Sequence, residues 1–102
     1  MYNWKVIDKF LLEIGFFFQD ELSRSGDDTT ILLYSKLDDT KSHRIKIRLY
    51  VDKTTNLKSF FVDDDSDHIP SQMKGLEYLI NQHRDIYRNL QLKNILDETN
   101  QK

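Results

Sequence analysis

The residues best suited to chemistry in this chain are cations and rings set two apart. Arg44, Lys46, Arg48 and Tyr50 alternate without a fault with Ile45, Ile47, Leu49 and Val51. That period puts the polar set on one side of a strand and the aliphatic set on the other. A guanidinium offers a planar fork of donors that fits carboxylate or phosphate, and a ring offers a face for stacking. Lys58 and Phe60 in the next apolar run, with Tyr34 and Lys36 in the preceding one, are candidates to join this surface. The basic sheet face so predicted is Arg44, Lys46, Arg48, Tyr50, Lys58 and Phe60. It would hold either an acidic protein surface or a nucleic-acid strand.

The carboxylates are gathered elsewhere. Asp27-Asp28, Asp38-Asp39 and Asp63-Asp64-Asp65 with Asp67 all fall between apolar runs. Aspartate there is ordinary turn and helix-start chemistry. The spacing Asp63, Asp65, Asp67 resembles the opening of a calcium loop. However, His68 stands where that loop needs glycine and Lys74 where it needs a bidentate glutamate. No metal site and no cofactor are expected. His43 opens a strand, His68 lies among acids, and His83 lies on an apolar helix stripe, so no histidine is paired with a nucleophile in a known local signature. Gly15, Gly26 and Gly75 are isolated, so there is no phosphate loop. The chain contains no cysteine, which excludes disulfides, thiolate zinc and a thiol nucleophile. No motif in the sequence supports catalysis; a hydrolase with a site near Asp63 to His68 stands as a third reading, and the balance leans away from an enzyme.

The elements that must position these residues follow from periodicity. Asn3 is a candidate N-cap, and Trp4, Ile7, Leu11, Ile14, Phe18 and Leu22 recur at spacings of three and four. The stripe predicts one helix from about Asn3 to Ser23. A competing reading ends it at Gly15 and makes Phe16 to Leu22 a strand; the stripe stays in phase past Gly15, which favours the longer helix. On that helix Leu12 and Phe16 fall on the polar side as an apolar pair. Thr29 to Leu37, His43 to Val51 and Leu57 to Val62 read as three strands joined by turn sequences, hence an antiparallel meander. Pro70 suits the first turn of a closing helix, whose stripe is Ile69, Met73, Leu76, Leu79, Ile80, His83, Tyr87 and Leu90. After Leu90 the pattern slips: Leu92, Ile95 and Leu96 point elsewhere, through a break near Asn89 and a short extra helix or through a second apolar face. Residues 94–102 are expected to fray.

The fold class expected is therefore α+β: a two-layer sandwich, helix–three-stranded antiparallel meander–helix (αβββα), with one open sheet face. At 102 residues it is one domain, with an ordered core over about 3–90. Hydrophobic residues are 38% and charged residues 31%, as in globular rather than disordered chains. A formal net charge of −2 implies no bulk attraction to nucleic acid or anionic lipid. Asp8 and Glu13 interrupt the first apolar run, and no run approaches the roughly 18 apolar residues of a membrane span. A cytoplasmic location and no membrane partner are the expectation.

The helix–three strands–helix order is similar to that of double-stranded-RNA-binding domains, over about residues 3–90. That family opens its last helix with a Lys-Lys-x-x-Lys-type run; here the place holds Ser71-Gln72-Met73-Lys74-Gly75, with Lys74 alone, and no residue is carried over. The order also resembles that of some small phage-encoded inhibitor proteins. The function expected is a small non-catalytic regulator, inhibitor or adaptor that occupies a protein partner's surface. A nucleic-acid-binding module on the basic and aromatic face is the alternative. The leftover apolar residues Leu12, Phe16, Leu92, Ile95 and Leu96 would serve a partner or a homodimer.

Overall fold

A computed structural model describes residues 2–23, 29–37, 44–52, 56–63, 69–70 and 72–100, the last six by their backbone alone. The elements are α1 (Trp4–Glu13), β1 (Phe17–Ser23), β2 (Thr29–Leu37), β3 (Arg44–Asp52), β4 (Leu57–Asp63), α2 (Gln72–Gln82) and α3 (Arg84–Asn100). The class is α+β, with helices on one face of an antiparallel meander. The sheet has four strands in the order β1-β2-β3-β4, one more than the favoured sequence reading, the extra one being the strand of the competing reading. The acidic turns Asp27-Asp28 and Asp38-Asp39, residues 64–68 and His43 lie outside the described residues.

The first correction is at Gly15. Asn3 caps α1 as expected, its side-chain oxygen accepting from the Lys5 backbone N–H at 2.9 Å. The helix then stops at Glu13 rather than running to Ser23. Gly15 takes φ +105°, its N–H bonds to Leu12 C=O at 3.2 Å, and Phe16 N–H bonds back to Leu11 C=O at 2.9 Å. This paired closure around a left-handed residue is the Schellman C-terminus, which glycine enters without a Cβ penalty. The Lys36 ammonium adds a bond to Ile14 C=O at 2.9 Å, placing a cation at the negative helix end. The chain leaves in extended form, and β1 pairs antiparallel with β2.

Two bulges set which side chains face where. β2 and β3 pair without slip from Thr29↔Asp52 to Leu37↔Arg44. β1 skips Gln19 between Phe18↔Tyr34 and Asp20↔Leu33. β4 carries an extra residue, Lys58, between Tyr50↔Ser59 and Val51↔Leu57. Each extra residue exchanges the faces of the residues beyond it.

On the inner face, Leu32, Tyr34, Ile45, Ile47, Leu49, Val51, Leu57, Phe60 and Val62 are buried together with Ile7, Phe10 and Leu11 of α1, with Ile14 that caps it, and with Leu76 and Leu79 of α2. Each such aliphatic or aromatic side chain contributes about 1.5–3 kcal/mol by leaving water. α3 packs across α1, with the Tyr87 ring edge-on to Phe10 at 5.5 Å. Ile69, Met73, Ile80, Tyr87 and Leu90 pack against the core as the last stripe predicted. The helix boundary falls at His83 rather than near Asn89, and the second helix is long. The molecule measures 47 × 38 × 21 Å, the thin dimension being one sheet and one helix layer.

Candidate functional site

All three helices lie on the inner face, so among the described residues no element covers the outer face of the sheet. The pairing registers lay it out in rows. Phe17 of β1 stands beside Ser35, Lys46 and Asp63; Asp20 beside Leu33, Arg48 and Phe61; Leu22 beside Ile31, Tyr50 and Ser59. Leu37 and Arg44 close one end, Thr29 and Asp52 the other.

Three exposed apolar side chains lie on this face, while Leu12, Tyr78 and Leu92 are exposed on the helices. Phe17 is 49% exposed, Leu22 46% and Leu37 46%. The arginines lie across this surface rather than standing off it. The Arg44 guanidinium sits 5.5 Å over the Phe17 ring, and its Nη1 donates to Ser35 Oγ at 3.1 Å. Arg48 sits 5.2 Å over the Phe61 ring, and its Nη1 donates to Tyr50 Oη at 3.5 Å. Its Nε is 3.5 Å from Asp63 Oδ2, close enough for charge attraction but not aligned as a hydrogen bond. Tyr50 and Phe61 meet edge-to-face at 5.3 Å. The Lys58 ammonium donates to Thr29 Oγ1 at 2.8 Å. Long stems thus cover apolar surface while the charged heads stay near water.

The structure brings together most of the predicted basic face. Arg44, Lys46, Arg48, Tyr50 and Lys58 share the outer side. Phe60 does not: the bulge at Lys58 turns it inward, where it is 1% exposed, and Phe61 takes the outer place. Tyr34 is also inside, donating its hydroxyl to Asp8 Oδ1, and Lys36 is committed to the end of α1. Burial and then the Asp8 carboxylate raise the Tyr34 pKa far above the usual phenol range.

Of the predicted apolar interface, Leu12 and Leu92 are exposed on the helix layer. Phe16 is buried, because the chain has already left the helix there and turns the ring into the core beside Lys36. The backbone of Ile95 and Leu96 continues α3, and their side chains lie outside the described residues. The residues that sequence reasoning missed are Phe17, Leu22, Leu37 and Phe61. The strand reading of Phe16 to Leu22 would have found the first two.

Among the described residues, no catalytic grouping assembles. A shallow, open depression of about 340 Å³ at the α2–α3 junction is lined by Asn81, Gln82, His83, Arg84, Asp85 and Ile86. It holds one histidine and one carboxylate but no serine, threonine or second acid for a hydrolytic pair. Among the described residues, no three acids or histidines come together to hold a metal ion, and no helix is long and apolar enough to cross a membrane. Comparison with protein families, curated proteins and solved structures finds no match to this chain.

Proposed function

We propose that this is a small non-catalytic binding protein, a regulator, inhibitor or adaptor, that occupies the surface of a protein partner through the outer face of its sheet. The observation that carries this reading is the composition of that face. Exposed Phe17, Leu22 and Leu37 share that face with half-buried Ile31, Leu33 and Phe61, with Arg44 and Arg48 set among them. Mixed apolar, aromatic and arginine surfaces are what protein interfaces enrich. The charge balance points the same way. The face carries the cations Arg44, Lys46, Arg48 and Lys58 against the carboxylates Asp20, Asp52 and Asp63. A phosphate-tracking groove needs a clear positive excess.

The second reading, a nucleic-acid platform, rests on Arg48 over Phe61 and on the Tyr50–Phe61 ring pair, a grouping able to stack bases.

One variant tests both: Leu37→Ser/Arg48→Ser/Phe61→Ser, checked for folding by circular dichroism. Affinity capture from the native host is expected to recover a stable protein partner with the wild type and to lose it with the variant. Equal recovery, or none, overturns the proposal. Tight binding of labelled single strands by the wild type, falling steeply with salt and abolished in the variant, would establish the second reading instead.

A further inference from the structure

We infer that the free edge of β1 accepts an extended, cationic segment of a partner protein as a fifth strand. This rests on the reading that the protein binds another protein, and adds to the contact on the face a second one along the edge of the sheet.

β1 ends the strand order, so among the described residues one side of its backbone has no neighbouring strand. All seven of its residues are exposed. The opposite edge, β4, is half buried and packs under α2, where Gly75 lies against Val62. An unpaired strand edge offers a row of main-chain donors and acceptors, from which strand addition draws its affinity. The side chains supply the specificity. Phe17 and Leu22 flank the edge on the outer side. Phe18 flanks it on the inner side, edge-to-face with Tyr34 at 5.6 Å. Each is about half exposed, and an added strand would cover them.

Charge decides the occupant. β1 reads Phe-Phe-Gln-Asp-Glu-Leu-Ser and contains no lysine or arginine. Asp20 faces outward and Glu21 inward, so a carboxylate stands on each side of the same stretch. A second copy is disfavoured there. In the two-fold antiparallel pairing that overlaps all of β1, Asp20 opposes Asp20 of the other copy, and like charges directly opposite are destabilising. A strand with two adjacent cations meets both carboxylates at once, one on each side, with apolar residues before and after to cover Phe18 and Leu22.

The test uses the full chain and two fluorescein-labelled peptides of about nine residues, an ordinary strand length. One has Lys-Arg at its centre between Val and Thr residues; the other has Glu-Glu. Anisotropy should show saturable binding of the Lys-Arg peptide at least tenfold tighter than the Glu-Glu peptide. Amide exchange should slow across β1. Asp20→Lys/Glu21→Lys should invert the order of preference. Leu37→Ser/Arg48→Ser/Phe61→Ser should leave peptide affinity within twofold even if partner capture is lost. No binding, equal binding of the two peptides, an unchanged preference after charge reversal, or protection confined to β3 and β4 would each overturn the inference. So would a dimer by light scattering whose β1 amides are protected before peptide is added.

Discussion

Gly75→Ala should destabilise this protein, although the same change inside a helix ordinarily stabilises. Gly75 lies in α2, where alanine gains about 1 kcal/mol over glycine from propensity and a less flexible unfolded chain. Against that, a Cβ built on Gly75 meets Pro70 O at 2.1 Å and Val62 Cγ2 at 2.9 Å. Ordinary carbon–oxygen contact begins near about 3.3 Å, so relief needs a movement of roughly 1 Å. The obstructing atom is backbone, just ahead of the helix, and cannot swing aside as a side-chain tip would. Moving α2 instead would loosen Leu76 and Leu79, both buried against the sheet. Overpacking costs about 1–3 kcal/mol, occasionally more, and a rigid obstacle puts this case at the upper end. The net loss should be about 2 kcal/mol. For a chain of this length that lowers Tm by roughly 8–16 °C. Urea unfolding followed by far-ultraviolet circular dichroism is the assay, with exposed Glu77→Ala as a control expected within about 0.5 kcal/mol of wild type. A Gly75→Ala protein as stable as wild type, or more so, would mean that α2 does not approach Pro70 and β4 this closely, and the packing argument would fall.

Two further substitutions test the bulge and the buried phenol. Phe60→Ala should cost about 3–5 kcal/mol as a core truncation, whereas Phe61→Ala should cost under about 1.5 kcal/mol, the scale of a ring pair; comparable losses by denaturant titration would place Lys58 in register and refute the face exchange. Tyr34 should make the protein alkali-sensitive. Burial first, and then the bond to Asp8, raise its pKa above the ordinary 10.0, so the folded state keeps a proton that the unfolded chain releases. That contribution is complete below pH 10 and is lost as pH rises above it, by about 1.4 kcal/mol per unit. Tyr34→Phe should be less stable than wild type near neutrality by about 1 kcal/mol, yet fall less steeply between pH 10 and 11.5. Parallel stability curves across that range would show that the hydroxyl is not held protonated.

The legible parts of the fold were those whose period had no interruption. β2 lies where the sequence placed it and β3 within a residue, because alternation over Arg44 to Val51 leaves one assignment of faces. The last apolar stripe was also legible, since its members all face the core. What escaped were events one residue wide. Gly15 ends a helix whose apolar spacing continues past it, and no position in the next stretch is buried deeply enough to show alternation, β1 being exposed throughout. The bulge at Lys58 adds a single residue to an otherwise regular strand. Leu57, Phe60 and Val62 face inward, a spacing of three and then two, which alternation alone reads as Phe60 standing with Lys58. The basic face was therefore legible in its cations, which sit on the uninterrupted strand, and mistaken in its ring, which sits beyond the bulge.

The outer face is best understood from how the connections are built. The Schellman turn at Gly15 sends the chain from α1 straight into β1, so α1 lies back over the inner side. Gly75 brings α2 down against Val62 on that same side, and the turn at His83 folds α3 across α1. Every helix is thereby spent on one layer. Scattered exposed hydrophobes would need no explanation on such a surface. Here exposed Leu22 shares one row with half-buried Ile31 and Tyr50, and Arg48 stands between half-buried Leu33 and Phe61 in the next, so pairing sets apolar, aromatic and cationic side chains side by side. Arg44 over Phe17 and Arg48 over Phe61 keep two of the rings partly covered in the free protein, at about 0.5–1 kcal/mol for each exposed pair. A partner offering carboxylates can draw those guanidinium groups off the rings at little cost. The protein partner we propose would accordingly present a surface that is both apolar and acidic.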